Sequence, residues 1–137
     1  MNAAPRSLVL CLLLASNLAF ACGHCVEDQV AAVYDHALVK RILGRGYHVA
    51  FFALDGSLES NSQQRSIIER AATRIAGVDA RSVRVSIESS ALAVGFDPAR
   101  TSAEKIRQSV MQALVLKGVS VQLLRDIDRH LEATPGY

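Results

Sequence analysis

The chain has 137 residues, 15 basic against 13 acidic side chains, half of its residues hydrophobic and no Trp. That length is one domain with enough chain to bury a core, and it is shorter than most two-domain enzymes need. A formal charge of +2 supplies no basic field for counting phosphates, which excludes nucleic-acid binding driven by electrostatics.

Residues 1–6 carry one positive charge, Arg6. Residues 7–20 are apolar apart from Ser7, Ser16 and Asn17, and Ala19 and Ala21 sit where a signal peptidase reads small side chains. The pattern predicts a secretory signal over 1–21 and an exported protein, periplasmic or secreted. The apolar run is too short and interrupted to be a permanent span of roughly 30 Å of hydrocarbon. Cleavage after Ala21 leaves 116 residues, with 14 basic against 13 acidic, and removes Cys11, so that Cys22 and Cys25 remain. The run Leu18-Ala19-Phe20-Ala21-Cys22 also passes a permissive bacterial lipobox. A lipid on Cys22 would anchor the chain to a membrane and take that sulfur out of metal or redox chemistry.

Residues 26–43 place Val26, Val30, Val33, Ala37 and Leu38 at helical spacing, with acids early, bases late and Gly44-Arg45-Gly46 closing, which predicts one helix. Residues 47–54 are short, aromatic and apolar, a buried strand. Residues 55–62 read as a loop. Ser62 is the expected cap of a second helix, 63–76, with Ile67, Ile68, Ala71, Ala72 and Ile75 inward and Gly77 ending it. Val83, Val85 and Ile87 alternate with polar residues, then Leu92, Val94 and Phe96 alternate with small ones, which predicts a hairpin. Thr101-Ser102-Ala103-Glu104 reads as a capping box opening a helix through Ile106, Val110, Ala113 and Leu114. A last strand over 119–125 and a polar tail over 126–137 complete the chain. The order is an α+β, ferredoxin-like βαββαβ unit with a four-stranded antiparallel sheet and an added N-terminal helix. The organisation is thus signal 1–21, Cys motif and added helix 22–46, ferredoxin-like domain 47–125, tail 126–137.

The run Ile75-Ala76-Gly77-Val78, the strands 83–87 and 92–96, the closing Phe96-Asp97-Pro98 and the helix from Thr101 resemble the second half of heavy-metal-associated domains, the modules of copper chaperones and metal-pumping ATPases. The resemblance spans about 47–125 and implies the ferredoxin-like fold and a soft-metal role. Such domains keep a Cys-x-x-Cys in the loop after the first strand. Here that loop, 55–62, contains no Cys, and Ser57, Glu59 and Ser60 suit hard cations instead.

The pair that the chain does have is Cys22-Gly23-His24-Cys25, just ahead of the added helix. An 18-residue helix is about 27 Å long and an 8-residue strand about 26 Å. Folded antiparallel, they would bring Cys25 to the end of the strand, beside the loop that lacks thiols. A helix start also favours thiolate over thiol. Cys22 and Cys25, with His24, are therefore the candidate ligands for a soft or borderline ion, Cu(I) or Zn(II). His36, about 16 Å along the helix, is not a ligand. His48 reads as a packed or edge residue and His130 as solvated. Arg65, Arg70, Arg74, Arg81 and Arg84, interleaved with acids, read as a solvated face.

The leading expectation is an exported, non-enzymatic metal-binding protein with a protein partner for metal transfer and no nucleic-acid partner. The Cys pair keeps other readings open. Cys-Gly-His-Cys is similar to the active-site tetrapeptide of protein disulfide isomerases, so thiol–disulfide exchange is one, although no strand precedes the motif and no Pro lies between Cys25 and Pro98. A short-loop disulfide, or a lipid-anchored interaction module without metal, are the others.

Overall fold

A computed structural model of the chain describes residues 25–132. The expected signal segment, Cys22 and His24 lie outside the described residues. The elements are α1 Val26–Val33, α2 His36–Gly44, β1 His48–Asp55, α3 Ser62–Thr73, β2 Arg84–Ser86, β3 Ala91–Phe96, α4 Ala103–Leu114, β4 Ser120–Ile127 and a short α5 Arg129–Glu132. The strands form one antiparallel sheet in the order β2-β3-β1-β4, the ferredoxin-like arrangement that the element order implies.

β1 sits between β3 and β4, and six of its eight residues are buried. Alternation sends Ala50, Phe52 and Leu54 to one face, where they meet Leu92, Val94 and Phe96 of β3, Ile68 and Ala72 of α3, and Ile106, Val110 and Leu114 of α4. Val49 and Phe51 point to the other face. There, with Ala91 and Ala93, they meet Val30 and Val33 of α1 and Leu38, Val39, Ile42 and Leu43 of α2. The sheet is thus covered on both sides, by α3 and α4 on one and by the added segment on the other. Gly95 lets this second layer close, because a Cβ there would lie 2.8 Å from Ser82 Oγ and 3.1 Å from Ile42 Cδ1.

The added segment is two helices, which corrects the single helix expected over 26–43. Tyr34 and Asp35 are both extended, and the Asp35 carboxylate accepts the Leu38 N–H at 3.0 Å, so it caps a new helix. Packing asks for the break: Val30 and Val39 both face the sheet, yet nine residues apart they would lie on opposite sides of a continuous helix, and Ala37 is exposed. Tyr34 fills the corner, its ring stacked on Phe51 at 6.2 Å between centroids.

Other caps shift by one residue. Asn61, not Ser62, caps α3 by accepting the Gln64 N–H at 2.8 Å. Ser102 caps α4 through the Lys105 N–H, so the expected capping box from Thr101 to Glu104 is not formed. Glu104 instead accepts from Arg107 at 2.7 and 2.8 Å and from Gln108 at 2.8 Å. Those bonds hold its carboxyl at about 2, below the usual 4.5. β4 runs past Arg125 to Ile127, and just beyond it the Arg129 guanidinium donates to the carbonyls of Leu43 and Gly44 at the end of α2.

Two outcomes follow from this packing. Phe51→Ala, which empties the centre of the second layer, should cost about 3–5 kcal/mol in urea unfolding. The Glu104 carboxyl is lowered in the folded state, so its stabilisation is present above the ordinary carboxylate range and is lost as pH falls from about 4.5 toward 2. Glu104→Gln should accordingly flatten the stability profile in that window and leave its shape unchanged above pH 6.

Candidate functional site

The described half of the Cys motif is Cys25. It is the N-cap residue of α1, and its carbonyl accepts the Gln29 N–H at 3.1 Å. Its side chain is exposed and does not cap the helix, so the first free N–H groups of α1 have no side-chain acceptor from that position. Glu27 and Asp28 follow in the first turn, which suits the helix dipole.

The start of α1 is held by a buried amide. Gln29 is 6% exposed, and its Nε2 lies 3.4 Å from the carbonyl oxygens of both Ser89 and Ser90, in the turn between β2 and β3. Ser90 takes a positive φ of 50°, and its carbonyl also accepts the Leu54 N–H at 2.8 Å. One turn therefore ties the end of β1, the start of β3 and the first turn of α1 together. Val26 consequently shares a groove of about 400 Å3 with Asp55, Gly56, Ser90 and Gln122.

Gly56 opens the loop after β1. It has φ of 139°, and a Cβ there would come 2.5 Å from the Gly118 carbonyl oxygen, so the loop presses against the entry to β4. Within it, Asn61 Nδ2 donates to Glu59 Oε2 at 3.0 Å, while Leu58 and Asn61 donate their N–H groups to the carbonyls of Gly56 and Glu59. Glu59 and Asn61 are thus spent on the loop's own shape.

Antiparallel packing of a long helix along β1 is not what brings Cys25 here. α1 has only eight residues, about 12 Å, and crosses the sheet: Val26 lies by β1 and β4, while Ala32 to Asp35 reach Val83, Arg84 and Val85 beside β2. The residue after Cys25, Val26, lines the groove with Asp55 and Gly56 at the end of β1.

The histidines among the described residues do not gather with it. His36 is exposed beside Tyr34, and His48 lies at the far end of β1, its ring 5.5 Å from that of Phe96 and its Nδ1 3.3 Å from Asp126 Oδ1. That approach is not aligned as a hydrogen bond, so Asp126 Oδ1 has no hydrogen-bond partner among the described residues. Burial consequently raises the Asp126 carboxyl, with His48 opposing the shift. Among the described residues no three His, Cys, Asp or Glu side chains form a metal-sized group. Gln29, which holds the first turn of α1 in place, carries no chemical signal in the sequence.

The fold defines an α+β protein of the ferredoxin-like class with an extra helical layer. No protein-family model matches the sequence, and no curated protein matches it. Solved structures similar to the chain include a copper binding domain from HMA7, a P-type ATPase. It is 19% identical over 58% of this chain and 96% of that one, with a TM-score of 0.49. Oxidized MerP from Ralstonia metallidurans CH34 is 22% identical over 58% and 99%, with a TM-score of 0.46. The N-terminal domain of a potential copper-translocating P-type ATPase from Bacillus subtilis, in the Cu(I)-loaded state, is 20% identical over 60% and 92%, with a TM-score of 0.48.

A nitroxide attached to Cys25 in a Cys22→Ser variant should broaden the amide resonances of Asp55 and Gly56. Those of Asp79 and Arg100, at the other end of the sheet, should stay sharp.

Proposed function

We propose that the chain is exported and holds one soft metal ion through the thiolates of Cys25 and Cys22, with His24 as a further donor, for handling or sensing and not for catalysis. The observation that carries the reading is the Cys25 side chain, exposed and uncommitted to capping, on the residue before Val26, which lines a groove with Asp55 and Gly56 at the end of β1. The residue-level resemblance to heavy-metal-associated domains implies a thiolate pair at that end of the fold, and in this chain the loop itself holds none. A pair supplied from the start of α1 serves the same place by another route.

The donor set favours two-coordinate chemistry. Two thiolates suffice for linear Cu(I), whereas structural Zn(II) needs four ligands. Thiol–disulfide exchange is the second reading, supported by the same exposed sulfur.

Intact-mass measurement of the natively exported protein, reduced and then equilibrated with Cu(I) or Zn(II), tests the proposal. The expected result is an unmodified Cys22 N-terminus, one Cu(I) per chain, weaker uptake of Zn(II), and loss of the bound ion in Cys25→Ser. A diacylglycerol on Cys22, or a reduced protein that retains no metal, would overturn it. Turnover of a disulfide substrate without metal uptake would put the exchange reading in its place.

A further inference from the structure

At the opposite end of the sheet from Cys25 lies a groove of about 490 Å3 whose lining includes Arg41, Arg45, Arg81 and Arg100, with Tyr47 and Asp79. Three separate segments supply those guanidiniums: the last turn of α2 and its cap, the short turn Ala80–Ser82, and the approach to α4. The chain after signal removal is almost neutral, yet four positive side chains here face one carboxylate. Gathering like charges around a concavity raises their mutual repulsion and focuses a positive potential into it.

The groove's wall is fixed before anything binds. Asp79 donates its N–H to the Gly95 carbonyl at 2.9 Å, accepts the Arg81 N–H on Oδ1 at 3.0 Å, and takes Arg45 Nη1 on Oδ2 at 3.1 Å. Arg45 is further seated 4.6 Å over the Tyr47 ring. With Asp79 so occupied, the side chains of Arg41, Arg81 and Arg100 make no ion pair among the described residues. The end of α2 does not account for them either, since Arg129 already takes the carbonyls of Leu43 and Gly44. Three other arginines of the basic stretch are committed elsewhere: Arg65 to the Val85 carbonyl and Glu88, Arg70 to the Ser66 carbonyl, Arg84 to Asp35, while Arg74 lies outside the groove.

We propose that this groove is a docking surface for a carboxylate-rich segment of a partner protein, with Arg41, Arg81 and Arg100 as its recognition groups. Guanidinium forks match carboxylates in bidentate geometry, and several spread along one groove suit an extended acidic segment better than one small anion. A bilayer is the poorer occupant. Cys22 is three residues from Cys25 and so within about 11 Å of it, while β1 alone separates the two ends of the sheet by about 26 Å. A lipid on Cys22 would turn the groove away from the membrane.

The test is fluorescence anisotropy of a labelled hexaglutamate peptide with the exported protein, against Arg41→Gln/Arg81→Gln/Arg100→Gln and against Lys117→Gln/Arg125→Gln, whose charges lie outside the groove. Unchanged melting temperatures establish that all fold. The expected result is saturable one-to-one binding that weakens with added salt, falls about tenfold or more in the triple variant and is unmoved in the control. Absent binding, or equal binding by the triple variant, overturns the proposal. So does competition by inorganic phosphate as effective per molecule as the peptide, which would make the groove a small-oxyanion site. Capture of the wild type on phosphatidylglycerol vesicles without peptide binding would assign it to lipid headgroups.

Discussion

The rest of the structure depends on one strand that cannot face water on either side. β1 places Phe51 and Phe52 back to back, one at 0% and the other at 1% exposure, at the centre of the sheet. A ferredoxin-like unit with both helices on one face leaves the other face of such a strand bare, and β3 has the same need, since all six of its residues are buried. The segment ahead of β1 meets that requirement, and its helices are shaped by it. α1 and α2 break at Tyr34 and Asp35 because the face to be covered is broader than one straight helix, and Tyr34 closes the corner over Phe51.

Covering the second face also sets the chemistry. The layer begins at the end of the sheet where β1 stops and finishes where β1 starts, so its two termini carry different groups to opposite ends of the molecule. Its first described residue is a cysteine, and its last turn and cap bring Arg41 and Arg45. An element recruited for apolar burial thereby distributes a thiol and a guanidinium cluster about one strand length apart. Buried Gln29 makes the first placement precise, because its hydrogen bonds to the Ser89 and Ser90 carbonyls offset the cost of desolvating an amide only in one position of α1.

The sheet was legible because its signals are local. Val83 and Val85 against Arg84 and Ser86, and the apolar run over 48–54, state strand and burial within a few residues, and the order of elements then leaves few topologies. The broken helix was legible only in part. Val26, Val30, Val33 and Ala37 keep a helical period, and the step from Val30 to Val39 gains meaning once Asp35 is seen as a cap. The caps moved because Asn61 and Ser102 each neighbour another residue able to do the same work, and a one-residue choice is decided by tertiary fit. The length argument for Cys25 rested on one long helix, and the break at Tyr34 and Asp35 removes that helix. The arginine groove lay beyond reach, since its members are drawn from positions 41 to 100 and no window of sequence contains them together.

The bond from Arg129 to the end of α2 has a consequence for how the molecule opens. The added layer precedes the sheet unit in sequence, and left to itself it would be the first part to fray. Arg129, 86 residues beyond Leu43, fastens that layer's last turn to the end of β4, the edge strand. The end of α2 and the segment just after β4 are thus locked to one another and not only to the core between them. Hydrogen exchange of α2 and of the end of β4 then belongs to a single cooperative opening, and neither leaves the body of the protein without the other.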